Sequence, residues 1–376
     1  MDDRILAALG GEGAGHRLAS RFYGLVEHDH VLRPVYSVKP LANFKCPIRN
    51  LAAYLTQLGG GGNPYSRQRW SLSLREAHQR FRIGRQHQLA WLRNMRQAME
   101  ELGAAEPARS ALERFFERAS AWLVNHPDGT ADEAALGYEF DADPSSDPII
   151  RKISKRWESF RFLEQTVSAI RGRDGGRALA LAEGPVLREY FEEDPGAYLS
   201  LLAMLTAAGG MMADYAGEQL KARPELARQR YAFDRTLLHE TARDGCVAMV
   251  ELLLDLGADP NSQDEYGHPP LYFAGNAMSD ANGGAVVHAL VKGGADVNLQ
   301  DSIKRCTALH MAARRGNVRV AKALLECGAD IEVRDRAGDT PLRRAVNCRK
   351  REIVALLMAH GADPQQLPAS GKRTQS

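Results

Sequence analysis

Four side chains in the first third of the chain have chemistry to offer a small ligand: one imidazole, two phenols and one indole. The imidazole is His78. It lies in a short helix that a capping box, Ser73-Leu74-Arg75-Glu76, predicts, with Leu74 four residues before it and Phe81 three after it on the same face. Such an imidazole can ligate a metal or carry a proton. Tyr23 borders an apolar helix face, Tyr36 follows a proline, and Trp91 opens a longer helix. Phenol O–H and indole N–H groups are hydrogen-bond donors that can face a polar ligand. Taken singly, each has an ordinary explanation. A single His on an apolar face is more often a satisfied core residue than a ligand, and isolated aromatics are core.

The surrounding periodicity describes a compact helical domain. Leu18, Phe22 and Val26 recur every four residues and share one helix face. Pro34 interrupts the chain before Val35-Tyr36. Leu51, Tyr54 and Leu55 form a second apolar segment, which runs into the loop Gly59-Gly60-Gly61-Gly62-Asn63-Pro64-Tyr65. Gly84 is expected to end the helix of His78. Leu92, Met95, Met99 and Leu102 then mark the apolar stripe of the next one.

The order of these motifs carries more than any one of them. Phe22-Tyr23, Leu32-Arg33-Pro34-Val35-Tyr36, the glycine run ending in Tyr65, Leu74 to Gly84, and Ala90-Trp91-Leu92 follow one another over about residues 5–127. This series closely resembles the truncated hemoglobins of the second group. The resemblance implies heme b as cofactor, with His78 as the proximal ligand to its iron, since a neutral imidazole is the usual protein ligand in globins. It implies that Tyr23, Tyr36 and Trp91 line the distal pocket as donors toward a diatomic gas, O2, NO or CO, and that Leu51 is an apolar wall. It places Tyr65, Phe81 and Ile83 at the heme or its edge, and Arg75 and Arg82 at the propionates. Two departures stand out. The family's Gly-His-Pro before the proximal helix reads Arg69-Trp70-Ser71-Leu72 here, and the segment around Phe44-Lys45-Cys46-Pro47 is lengthened. His16, His28, His30, His87 and His126 have no comparable setting and are read as surface residues, one of which could act as a sixth ligand in an altered state.

The C-terminal third repeats itself. Gly257-Ala258-Asp259 recurs at Gly294, Gly328 and Gly361, at spacings of 37, 34 and 33 residues. Between these stand Thr236-Leu237-Leu238-His239, Pro269-Pro270-Leu271-Tyr272, Thr307-Ala308-Leu309-His310 and Thr340-Pro341-Leu342-Arg343. Thr caps a first helix, Leu enters the core, and Gly ends a second, apolar helix. The period and the tetrapeptide resemble the ankyrin repeat over residues 228–366. One unit carries an inserted loop around Ala277 to Gly284. The resemblance implies structural roles for His239 and His310, not metal ligation, and a surface for a protein partner.

The expected fold is therefore all-α: a truncated globin (a helical sandwich) at 1–127, followed by an ankyrin solenoid. Between them, residues 128–159 read as an acidic linker and the start of a helical region. Residues 160–227 read as degenerate helical pairs that cap the array. Residues 367–376 read as a disordered tail.

Residues 1–127 hold 18 Lys and Arg against 11 Asp and Glu, a net of +7 that leaves −5 for the rest. A solvated basic surface accounts for this, and no nucleic-acid partner is expected. Five cysteines, none at metal-ligand spacing, indicate reduced thiols. Met1 to Gly11 lacks the pattern of a secretion signal. The uncharged stretch Pro195 to Ala213 is short and broken by Gly209-Gly210, which favours a buried helix pair over a membrane span. These features point to a cytoplasmic protein. The expected function is a heme-based binder of a diatomic gas, coupled as a sensor to a protein-binding array. The alternatives are a heme oxidoreductase, such as a nitric-oxide dioxygenase or peroxidase served by an outside reductase, and a scaffold without heme. No flavin or nicotinamide motif favours the enzyme.

Overall fold

The computed structural model describes residues 4–11, 13–36, 44–59, 61–68, 73–125, 147–277 and 281–366. Arg69-Trp70-Ser71-Leu72, most of the expected linker, the centre of the inserted loop and the C-terminal tail lie outside them. Among the described residues every regular element is helical, and none of these helices is long and apolar enough to cross a membrane. The chain divides into two compact units, Met1–Tyr198 and Leu199–Ser376.

In the first unit, α1 (Arg4–Ala8) and α2 (Ala14–Val26) precede a tight turn at Arg33–Tyr36; α3 (Lys45–Leu58), α4 (Leu74–His78), α5 (Arg85–Glu101) and α6 (Ala108–Leu123) follow. α2 buries the expected stripe, Leu18, Phe22 and Val26. Its other side meets α3 closely at Gly15, where a Cβ would lie 2.6 Å from Thr56 Oγ1 and 2.9 Å from the Ala52 carbonyl. Only a residue without a side chain permits that approach. Met95 and Met99 of α5 and Leu112 and Phe115 of α6 complete the core.

The core does not stop there. Helix α7 (Pro148–Arg171) is capped by Asp147, whose side chain accepts the Ile149 amide at 2.7 Å. Its Ile153 and Trp157 are fully buried in the same cluster. Trp157 meets Phe115 edge to face, ring centroids 5.7 Å apart. Burying an indole this completely covers apolar surface of α6 that would otherwise face water. The first unit thus extends past residue 127. Two short helices, α8 (Gly175–Ala182) and α9 (Pro185–Glu193), pack on α7.

The unit division falls within α10 (Pro195–Ala208), and α11 (Gly210–Ala222) follows it. Between them Gly209 and Gly210 take φ of +76° and +56°, left-handed values open to glycine at low cost. The uncharged stretch is thus a helix pair. Four further pairs build a solenoid: α12 (Leu237–Asp244) with α13 (Val247–Asp255), α14 (Pro270–Gly275) with α15 (Gly283–Lys292), α16 (Ala308–Arg315) with α17 (Val318–Glu326), and α18 (Pro341–Asn347) with α19 (Arg351–Ala359). First helices stack on first helices and second on second. Leu238, Leu271, Leu309 and Leu342 occupy the core, all at most 2% exposed. Gly257, Gly294, Gly328 and Gly361 all hold positive φ just after the second helix of a pair.

Candidate functional site

One cavity of the first unit gathers the predicted residues. Tyr23, Tyr36, Leu51, Tyr65, His78, Phe81, Ile83 and Trp91 all line it. It encloses about 190 Å³, against the roughly 10–15 Å³ that a single water needs by the same measure. A packing fault is far smaller, so the space has room for a ligand.

His78 is the last residue of α4. Its Nδ1 lies 2.7 Å from the Leu74 carbonyl oxygen. A carbonyl can only accept, so Nδ1 carries the proton and donates, which leaves Nε2 as the atom with a lone pair. A fixed Nδ1–H to a backbone carbonyl is the usual support of a histidine ligand. Gly84 does not end this helix. The chain leaves it at His78, turns through Phe81, whose amide donates to the His78 carbonyl at 3.0 Å, and Gly84 instead caps the start of α5. The ring of Phe81 stays close to His78, with centroids 6.2 Å apart.

The polar members converge from four segments. Tyr23 on α2 and Tyr36 at the end of the tight turn sit edge to face, centroids 5.4 Å apart. Burial raises the pKa of both phenols, so both remain protonated donors. Asp29 holds the turn that presents Tyr36. Its Oδ1 accepts the amides of Val31 at 2.9 Å and Leu32 at 3.0 Å, and its Oδ2 accepts from Arg93 and Asn94, both at 2.8 Å. Burial would raise the Asp29 carboxyl, but these donors hold it well below the usual carboxylate range. Trp91 packs between Phe22 and Phe116, at 5.2 and 5.5 Å. Tyr65 is fixed from α3: its amide and that of Ser66 donate to Gln57 Oε1, each at 3.0 Å, and its ring meets Tyr54 at 5.3 Å.

The structure corrects two readings and adds residues. His87 is not a surface residue; it lines the cavity one helical turn before Trp91, its Nδ1 accepting the Gly84 amide at 3.0 Å. Arg75 stacks on the Trp122 ring at 4.3 Å, and neither it nor Arg82 lines the cavity, whereas Arg80 does. Tyr54, Asn50 and Gln88 are further polar lining, and Phe115, Phe116 and Phe160 are further apolar lining. Helical spacing was the available signal: Tyr54 stands three residues after Leu51, and His87 and Gln88 stand four and three before Trp91. Phe160 gave none, since it arrives on α7 from beyond the expected boundary.

The residues present fit a heme. The cavity is mostly apolar in lining, carries one histidine with its Nδ1 fixed, and sets donors of buried phenol and indole along other walls. Among the described residues no cluster of His, Cys, Asp and Glu could hold a bare metal ion.

In the second unit the repeat histidines are structural. The Thr307 amide donates to His310 Nδ1 at 3.2 Å, and His310 Nε2–H reaches the Asp339 carbonyl of the next unit at 3.1 Å. His239 repeats the pattern between Thr236 and the His268 carbonyl. Burial lowers the pKa of both, that of His239 to about 4.

Comparison with known proteins agrees with this division. Residues 4–125 match the family described as bacterial-like globin. Residues 233–265 match a single ankyrin repeat, and residues 275–367 match ankyrin repeats in three copies. Among curated proteins, the chain is similar to an ankyrin repeat domain-containing protein of Stachybotrys chartarum, 38% identical over 125 residues, which are 33% of this chain and 6% of that protein. It is also similar to a B-cell lymphoma 3 protein homolog of Mus musculus, 32% identical over 138 residues, 36% of this chain and 31% of that one. Inversin of Gallus gallus is 37% identical over 102 residues, 27% of this chain and 9% of that one. The chain spans less than a third of the length of each of these three relatives.

Proposed function

Since residues 4–125 are a bacterial-like globin domain and residues 233–367 carry ankyrin repeats, we propose that this chain binds heme b through His78, receives a diatomic gas in the cavity, and passes the state of that site to a protein partner held by the array. The observation that carries the reading is the cavity itself. His78, with Nδ1 tied to the Leu74 carbonyl, and the donors Tyr23, Tyr36 and Trp91 line one space. Heme, when bound, supplies an iron centre with affinity for O2, NO and CO. The protein's part is to hold and to select. The Nδ1–H bond orients the imidazole and raises its basicity. The adjacent phenols and the indole offer hydrogen bonds to a polar diatomic ligand, and Leu51, Phe115, Phe116 and Phe160 exclude water.

The second unit is the adhesive part. α11 covers its first end: Gly217 of α11 faces Leu252 and Met249 of α13, where a Cβ would sit 3.6 Å from Leu252. Five cysteines without a disulfide suit the reducing cytoplasm. The test is an absorption spectrum of the full chain after heme addition, with His78→Ala beside it. A sharp Soret band that shifts with CO after reduction, and that the variant loses or alters, supports the site. Equal partner affinity of the heme-free, ferric and ferrous-ligand forms would end the sensor reading.

A further inference from the structure

Helix α7 begins more than twenty residues beyond the segment that matches the globin family, yet it takes part in the site. Phe160 lines the cavity. One turn later Glu164 is 2% exposed and accepts from four donors. Its Oε2 takes Ser73 Oγ–H at 2.7 Å and Trp122 Nε1–H at 2.9 Å; its Oε1 takes the Leu74 amide at 2.7 Å and the Arg75 amide at 3.4 Å. The last two are the first amides of α4, which the helix itself leaves without partners. All four groups donate, so the place suits an acceptor-only carboxylate. Burial raises the Glu164 pKa above the usual carboxylate value, and the four donors offset only part of that rise.

Helix α4 needs that support. It is five residues long and buries none of them fully. A helix of this length does not persist by itself in water. Ser73 Oγ, itself held by Glu164, accepts the Glu76 amide at 3.1 Å, and Arg171 near the end of α7 pairs with Glu76 at 3.2 Å. Leu74 stands at the centre of the arrangement. Its amide donates to Glu164, and its carbonyl accepts His78 Nδ1–H, both at 2.7 Å.

We infer that Glu164 is the positioning residue for His78: through Leu74 it fixes α4 and the direction of the imidazole, so that α7, which leads on through α8 and α9 to α10, is mechanically tied to the heme ligand. The inference rests on His78 as that ligand. A shift of His78 would pull on the Leu74 carbonyl and so on Glu164, giving α7 a different position for different states of the site.

The experiment uses the full chain with and without added hemin. Glu164→Gln keeps the shape but turns an amide NH2 toward groups that donate. Without heme, amide hydrogen exchange over residues 74–78 is expected to quicken about tenfold, the scale of one lost hydrogen bond to a charged group, while α2 is unchanged. With heme, the ferrous iron–histidine stretching band in the resonance Raman spectrum is expected to shift or broaden, and hemin loss to quicken. Glu164→Asp restores part of both. If Glu164→Gln fails to fold, Ser73→Ala, which removes one of the four donors, is expected to move both readouts in the same direction. An unchanged iron–histidine band in either folded variant, with a Soret band that still depends on His78, overturns the inference alone. A wild-type Soret band indifferent to His78→Ala overturns the heme reading, and the role of Glu164 toward His78 falls with it.

Discussion

His78 Nδ1 donates to the Leu74 carbonyl oxygen across 2.7 Å, one helical turn back along α4. That single bond selects the tautomer and points Nε2 away from the helix backbone. His78→Ala is therefore expected to lose the sharp Soret band of the wild type after hemin addition. His78→Gly with free imidazole supplied is expected to regain much of it, because the cavity walls remain. Equal spectra for wild type and His78→Ala would assign the ligand elsewhere, and His87 would be the next histidine to change.

The Tyr23 and Tyr36 rings meet edge to face at the cavity, and burial keeps both phenols protonated. Tyr36→Phe removes one donor while leaving the ring in place. Loss of one hydrogen bond of about 1 kcal/mol predicts a fivefold to tenfold faster dissociation of a polar diatomic ligand. Stopped-flow measurement reads this directly. A dissociation rate within a factor of two of wild type would remove Tyr36 from the ligand's contacts.

The second unit should weaken in acid. His239 is fully buried, and burial lowers its pKa from 6.5 to about 4, with His310 lowered in the same direction. A histidine whose folded pKa lies below its unfolded value holds its full stabilisation above about 6.5 and loses it as pH falls through the folded value. For His239 the loss is roughly 3 kcal/mol between those limits. Urea unfolding of the second unit, followed at pH 7, 5.5 and 4, is expected to show a falling midpoint, and a flat profile would contradict the buried neutral state.

Trp157 is fully buried against Phe115 although it follows the expected globin boundary. Trp157→Ala is predicted to destabilise the first unit by about 3–5 kcal/mol. Because Phe160 shares its helix, the variant should also lose hemin faster. A cost below about 1 kcal/mol would show that α7 is not part of that core.

Much of the site was legible because its signals are local. The capping box at Ser73 fixes where the helix of His78 begins, and the structure forms that cap, with Ser73 Oγ accepting the Glu76 amide. The spacing of Leu18, Phe22 and Val26 fixes which face of α2 is buried, and so places Tyr23 beside it. All eight residues expected at the site do line one cavity. What local pattern misread was also local in kind. Gly84 has the composition of a helix end, but the chain had already left the helix at His78 and used Gly84 to start the next. Arg75 carries the charge to meet a carboxylate, yet a neighbouring indole captures its guanidinium.

The repeats illustrate the opposite limit, where sequence determines nearly everything. Each unit caps, turns and ends through residues a few positions apart, and stacking repeats the same contacts, so the places of Thr307, Leu309 and His310 follow from their order in the tetrapeptide. The globin core, by contrast, is closed by a helix whose partners lie far off in the chain. Ser73 and Glu164 are 91 residues apart, and nothing in the spacing of either announces the other. Sequence alone determined the two kinds of fold and the grouping of one imidazole with two phenols and an indole, because periodicity, capping and motif order are short-range. Only the tertiary structure decided that α7 completes the cavity wall and caps the helix of His78. The reason is physical: which distant apolar face covers Phe115, and which buried carboxylate meets the orphan amides of α4, depends on packing in three dimensions and leaves no periodic trace along the chain.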